Sequence, residues 1–166
     1  MKWTLKYDIS GARELARKFP AAVRSVTVGV MQIIVMRLEG EVVQRTPRGV
    51  GGAAGLAGSI FGEVEAYGRQ VTGIVGTPLE YGQVVELGRR PGQRRPPTAA
   101  LIPWVRSILG VDPRRLEQVA WAVGTKIARK GTKGAFMFKR AWRATEGWAA
   151  TMIKTIPARV KRKVNK

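Results

Sequence analysis

The chain contains no cysteine and no histidine. The first absence excludes disulfides, thiolate nucleophiles and cysteine-ligated metal. The second removes imidazole as acid, base or ligand. A cysteine-free chain fits a reducing compartment. Acidic residues are scarce: 11 Asp+Glu stand against 30 Lys+Arg, a formal net charge of +19 over 166 residues. Carboxylate chemistry therefore has few candidates. Glu63 and Glu65 lie two apart in an alternating segment, so they share a strand face and read as a solvated edge. No lone carboxylate has the second acid or metal-ligand spacing that a reaction needs. Long apolar runs are also missing. The most apolar, Val26 to Met36, is too short to span a bilayer. Met1 to Tyr7 has no apolar h-region, so no signal peptide is expected.

What is present is an apolar fraction of 45%, normal for a globular protein. The length suits a single domain over residues 1–166. The positive charge has two readings, a solvated basic surface or a face for a polyanion. A domain this basic favours the second, because cations release counterions from nucleic-acid phosphates.

Trp3, Leu5, Tyr7 and Ile9 alternate with Lys2, Thr4, Lys6 and Asp8, which predicts a half-buried strand. Asp8 or Ser10 caps a short helix carrying Leu15 and Phe19. Pro20 suits the first turn of a long helix. Val23, Val26, Val30, Ile33, Ile34, Leu38 and Val42 form its expected inward face. Thr46-Pro47 stops it near Arg45, since a residue before proline leaves the α region. Ser59–Tyr67 and Gln70–Gly76 alternate around Gly68-Arg69 and predict a β-hairpin. Pro78–Leu87 reads as a short helix capped by Gly88. Ala99–Leu109 is helical, with Pro103 in its first turn. Asp112-Pro113 starts another helix, and Lys130–Gly134 is a turn. A last helix holds Phe138 to Val160, kinked or ended at Pro157. The fold class expected is α+β: a small antiparallel sheet packed against a long helix, with a helical C-terminal half. Its parts are an α+β core over 1–88, a basic Pro/Arg loop over 89–97 and a helical region over 98–166.

Four groups of residues are functional candidates. Arg48, Gly49, Gly51, Gly52, Gly55 and Leu56 form a glycine-rich loop that should be mobile alone and order against a neighbouring subunit. A phosphate cradle at Gly49–Gly52 is disfavoured, because no Gly-Lys-Ser/Thr follows and no strand feeds it. Tyr81, Glu86 and Gly88 read as a structural motif that fixes a helix and its following turn. Arg89, Arg90, Arg94 and Arg95 present four guanidinium groups on one irregular loop, suited to DNA phosphate or to acidic protein. Arg159, Lys161, Arg162 and Lys163 form a basic tail that lines a DNA channel or is a frayed end. Trp142 and Trp148 lie on different helix faces, which leaves one of them for a partner or both for the core.

The order of these parts resembles the HK97-like family of tail-completion (neck) proteins of tailed bacteriophages. That family's core reads "P-x-x-T-G-x-L-x-x-S-I", a hairpin, then "Y-x-x-x-x-E-x-G". Here the matching residues are Pro47, Gly55, Leu56, Ser59, Ile60, Tyr81, Glu86 and Gly88. A "P-x-x-x-L-I-x-W-V" helix is matched by Pro97, Leu101, Ile102, Trp104 and Val105. An "I-A-x-x-G-T-x-G" segment is matched by Ile127, Ala128, Gly131, Thr132 and Gly134. A loose "F-x-x-x-A" helix start follows at Phe136–Arg140. The chain departs in the loop, which is longer and has Ala54 where the family has threonine. The resemblance implies a virion protein, assembled in the host cytoplasm, with neither catalysis nor cofactor. It implies a homo-oligomeric ring, for example a hexamer, between the head–tail connector and the tail terminator or tube. Such a ring surrounds the path of genomic DNA, and no membrane is involved. The alternative is a basic nucleic-acid-binding protein acting as a monomer or dimer.

Overall fold

A computed structural model describes residues 1–8, 13–47 and 55–165. Arg48, Gly49, Gly51 and Gly52 lie outside the described residues. The chain forms two compact units, each built from separate stretches of sequence. One comprises Met1–Arg45, Ile60–Thr77 and Phe138–Lys166; the other comprises Thr46–Ser59 and Pro78–Met137. The last helices thus join the N-terminal sheet, a grouping that differs from a division at 89–97.

The first unit holds a three-stranded antiparallel sheet of β1 (Lys2–Asp8), β2 (Phe61–Tyr67) and β3 (Gln70–Gly76), ordered β1-β3-β2. The β2–β3 hairpin turns at Gly68, whose φ of 55° suits glycine. Register places Leu5 and Val64 beside Gly73, and Trp3 and Gly62 beside Val75. This face receives helix α2 (Pro20–Arg45), which follows the short α1 (Arg13–Lys18). The other face carries exposed Lys2, Thr4, Lys6, Glu63 and Glu65, with Lys2 Nζ 3.9 Å from the Glu63 carboxylate. Close approach of α2 depends on two glycines. A Cβ at Gly62 or Gly73 would stand 2.6 Å from the Val35 side chain. The α+β class is as expected: small antiparallel sheet, long helix, helical C-terminal half.

The buried side of α2 is Val23, Thr27, Val30, Met31, Ile34, Val35, Leu38 and Val42. Ile33, expected inside, is exposed, and Val26 is only half-buried. The helix is apolar on both sides, so periodicity alone does not choose which side turns inward. For the same reason α2 as a whole is long and apolar enough to cross a membrane, which the short Val26–Met36 run did not suggest. Its inner face is the core of this unit.

Helix α6 (Met137–Lys154) contributes buried Phe138, Ala141, Thr145 and Ala149 at helical spacing. It ends before Thr155, and α7 (Ile156–Val164) starts with Pro157 in its first turn, as the proline predicts. Thr155 ties the break: its hydroxyl donates to Met152 O (2.7 Å) and accepts from Arg159 Nε (2.9 Å).

The second unit contains α3 (Tyr81–Leu87), α4 (Thr98–Leu109) and α5 (Leu116–Lys130). Helices α4 and α5 share a small core of Val105, Leu116 and Ala120, with Leu101, Ile102 and Val123 packed against it. Asp112 caps the turn Pro113–Arg115 that leads into α5, accepting from the Arg114 N–H at 2.8 Å. Pro103 lies inside α4 rather than in its first turn. Flanking Leu101, Ile102 and Val105 anchor the helix on both sides of it, which offsets the hydrogen bond the proline lacks.

Candidate functional site

Two motifs far apart in sequence meet in the second unit. Helix α3 ends at Gly88 with φ 75° and ψ −170°, and α5 ends at Gly131 with φ 69° and ψ −171°. That backbone region is open to glycine almost alone. Each glycine N–H closes its own helix, Gly88 on Val84 O and Gly131 on Ile127 O. Each helix then runs straight into an extended pair. These pairs, β4 (Gly88–Arg89) and β5 (Thr132–Lys133), form a two-stranded antiparallel ladder. The irregular start of the basic loop and the turn at Lys130–Gly134 are therefore one paired element. Two-residue strands carry no periodicity by which sequence could reveal them.

The ladder is the centre of a longer seam. Ala135 N–H donates to Val85 O (2.8 Å), Phe136 N–H to Glu86 O (3.0 Å) and Gly92 N–H to Ala128 O (2.7 Å). Three glycines sit where backbone meets backbone. A Cβ at Gly88 would lie 2.6 Å from Gly134 N, one at Gly134 2.5 Å from Glu86 O, and one at Gly131 3.0 Å from Pro91 N. Phe136 takes a positive φ of 51° to leave the seam, an uncommon conformation for an aromatic residue.

Glu86 is 1% exposed. No buried side-chain nitrogen or oxygen among the described residues lacks a hydrogen-bond partner, so its carboxylate is satisfied. Its backbone oxygen accepts from the Phe136 N–H of the seam. Tyr81 does not join it: the ring is exposed, on an outward stripe of α3 with Val84 and Leu87. Five residues apart on a helix, the two side chains point to different sides.

The clasp fixes the root of the basic loop, and the four arginines differ in consequence. Arg89 Nη2 donates to Arg94 O (2.6 Å), closing the loop on itself. The Arg95 guanidinium lies 5.2 Å from the centre of the Trp121 ring, and its stem runs 3.1 Å from the Cβ position of Gly124. Arg90 and Arg94 are exposed. Of the glycine loop, Gly55 and Leu56 are buried rather than offered to a neighbour. Ser59 anchors them, its N–H donating to Gly55 O (3.0 Å) and its hydroxyl to Leu56 O (2.8 Å).

In the first unit the basic C-terminal segment is a docked helix, not a frayed end. Ile156 and Val160 are buried, and Lys163 Nζ donates to Ser25 Oγ of α2 (2.7 Å). Arg159, Arg162 and Lys163 border a groove against Val26, Gly29 and Ile33. Lys161 is exposed. Trp142 and Trp148 are both half-buried; Trp148 carries the Arg37 guanidinium 4.3 Å from its ring centre. The exposed tryptophans are Trp104, part of the "P-x-x-x-L-I-x-W-V" match, and Trp121, which sequence reasoning did not single out. Among the described residues, no group of three or more acidic, histidine or cysteine side chains is placed to hold a metal ion.

No family profile, no curated protein and no solved structure matches the chain.

Proposed function

We propose that this protein is a structural tail-completion (neck) component of a tailed phage or prophage. It works as a homo-oligomeric ring around the DNA path, between the head connector and the tail terminator or tube. The observation that supports this reading is the clasp. Gly88 of the "Y-x-x-x-x-E-x-G" segment and Gly131 and Gly134 of the "I-A-x-x-G-T-x-G" segment share one backbone-to-backbone seam. Residues without reactive chemistry thus gain a common structural task. The clasp sets the direction of the arginine loop, leaving Arg90 and Arg94 to face DNA or acidic neighbours. Buried Glu86 stabilises the turn and takes no part in a reaction.

The net charge of +19 supports a second reading, a nucleic-acid-binding protein acting alone. One experiment separates the two. Native mass spectrometry of the purified chain, with and without a head-connector protein and a tail-tube protein, should give a closed oligomer or a defined complex. Binding of duplex DNA, followed in parallel by anisotropy, should be weak. A monomer or dimer that binds duplex DNA tightly, with affinity falling steeply as salt rises, overturns the neck reading.

A further inference from the structure

The outer side of α2 is apolar where solvent should favour charge. Val26, Gly29, Ile33, Met36, Gly40 and Val43 recur at alternating three- and four-residue steps and are exposed or half-buried. This is the a/d spacing of a helix seam, running about 25 Å along the axis. Met36 is 72% exposed. Among the described residues, nothing lies within 4 Å of a Cβ position at Gly29 or Gly40, so their packing does not require glycine there. A glycine inside a helix costs about 1 kcal/mol relative to alanine. Both lie on the outer stripe, where they let another backbone approach closely. At the Val26–Ile33 end the stripe becomes the floor of a groove whose α7 wall is Arg159, Arg162 and Lys163. Among the described residues, no acidic side chain lines it.

We propose that this groove takes an amphipathic helix of a different protein, with an apolar seam laid on α2 and acidic flanks against the α7 cations. The charges select the occupant. A second copy of this chain would bring further cations to a cationic wall, in a molecule already at +19. A nucleic acid would satisfy the wall but press phosphates onto an uncharged apolar floor. An acidic amphipathic helix satisfies both surfaces. The inference goes beyond the neck reading and does not depend on it.

The test uses the full chain and a fluorescent synthetic helix of about three heptads, with leucine at a and d and glutamate at e and g. A companion peptide carries lysine in place of glutamate. The glutamate peptide should bind, and the lysine peptide should bind at least ~10-fold more weakly. Met36→Glu, at an exposed position, and Gly29→Leu, which fills open space, should each weaken binding by about 10-fold or more while leaving thermal unfolding unchanged or raised. Arg162→Glu with Lys163→Glu should reverse the preference between peptides. The inference fails if the two peptides bind alike, or if both stripe variants bind as well as the parent. It also fails if short duplex DNA displaces the peptide from the groove. Self-association that Met36→Glu abolishes would assign the stripe to a second copy and overturn the proposal as well.

Discussion

Gly88 and Gly131 end two different helices in nearly the same backbone conformation, and the residues that follow them pair with each other. Neither position accommodates a side chain. At Gly131 a Cβ meets the carbonyl carbon of Arg90 at 3.0 Å, and at Gly88 it meets Gly134 N at 2.6 Å. These obstacles are backbone and cannot rotate away. Gly131→Ala should therefore cost at least ~1–3 kcal/mol from strain alone. Hydrogen exchange should speed up at Gly92, Ala135 and Phe136, whose N–H groups close the seam. Unchanged protection at those amides would mean that the clasp is not held together by its glycines.

Glu86 and Tyr81 make a second contrast. Replacing Glu86 by leucine keeps the volume but strands the donors that its buried carboxylate satisfies, at about 1–3 kcal/mol. Tyr81→Ala, at an exposed ring, should leave stability within ~0.5 kcal/mol. Urea denaturation of the two variants measures both. Equal losses would place Tyr81 inside the structural motif after all.

The local signals in the sequence carried well into the structure. Alternation of Trp3 and Leu5 marks β1, Thr46-Pro47 follows the last residue of α2, Gly68 turns the hairpin, and Pro157 marks the break before α7. Each is decided by a few neighbouring residues. Three features were not legible, for different reasons. The β4–β5 ladder joins two-residue segments across a long stretch of chain, and only the glycines after α3 and α5 hint at it. The inward side of α2 is ambiguous because Ile33 and Ile34 are equally apolar, and only the sheet decides between them. Arg95 looked like one of four equivalent charges, because nothing in its own loop reveals Trp121 beneath it.

The glycines of the first unit should respond in opposite directions. At Gly73 an added methyl would stand 2.6 Å from Val35 Cγ2 and 3.0 Å from Met31 Sδ, in the packed contact between sheet and α2. Gly73→Ala should cost ~1–3 kcal/mol by overpacking. At Gly29 and Gly40 the same methyl meets nothing among the described residues. Each of those changes should stabilise the isolated protein by up to ~1 kcal/mol through helix propensity. Calorimetric melting of the three variants checks the signs. A fall in melting temperature for Gly40→Ala would mean that the outer side of α2 is covered within the protein itself.

The arginine loop gives the last contrast, between arginines that hold the fold and arginines that face outward. Arg95 stacks on Trp121, a contact of about 0.5–1 kcal/mol at an exposed site, and its stem covers Gly124. Arg95→Ala should lower stability by roughly that amount and increase the solvent exposure of Trp121. Its emission should shift to the red in a background where the other tryptophans are replaced. Arg90 and Arg94 are exposed, so Arg90→Ala with Arg94→Ala should leave melting unchanged. If the loop faces a polyanion, the double variant should also lower the slope of log affinity against log salt for duplex DNA, by about one unit for each lost phosphate contact. If the loop faces acidic protein instead, the slope for DNA stays as it was and complex formation with the neighbouring ring weakens. A double variant that melts early and keeps its salt slope would assign both arginines to the fold, leaving the loop without a partner-facing role.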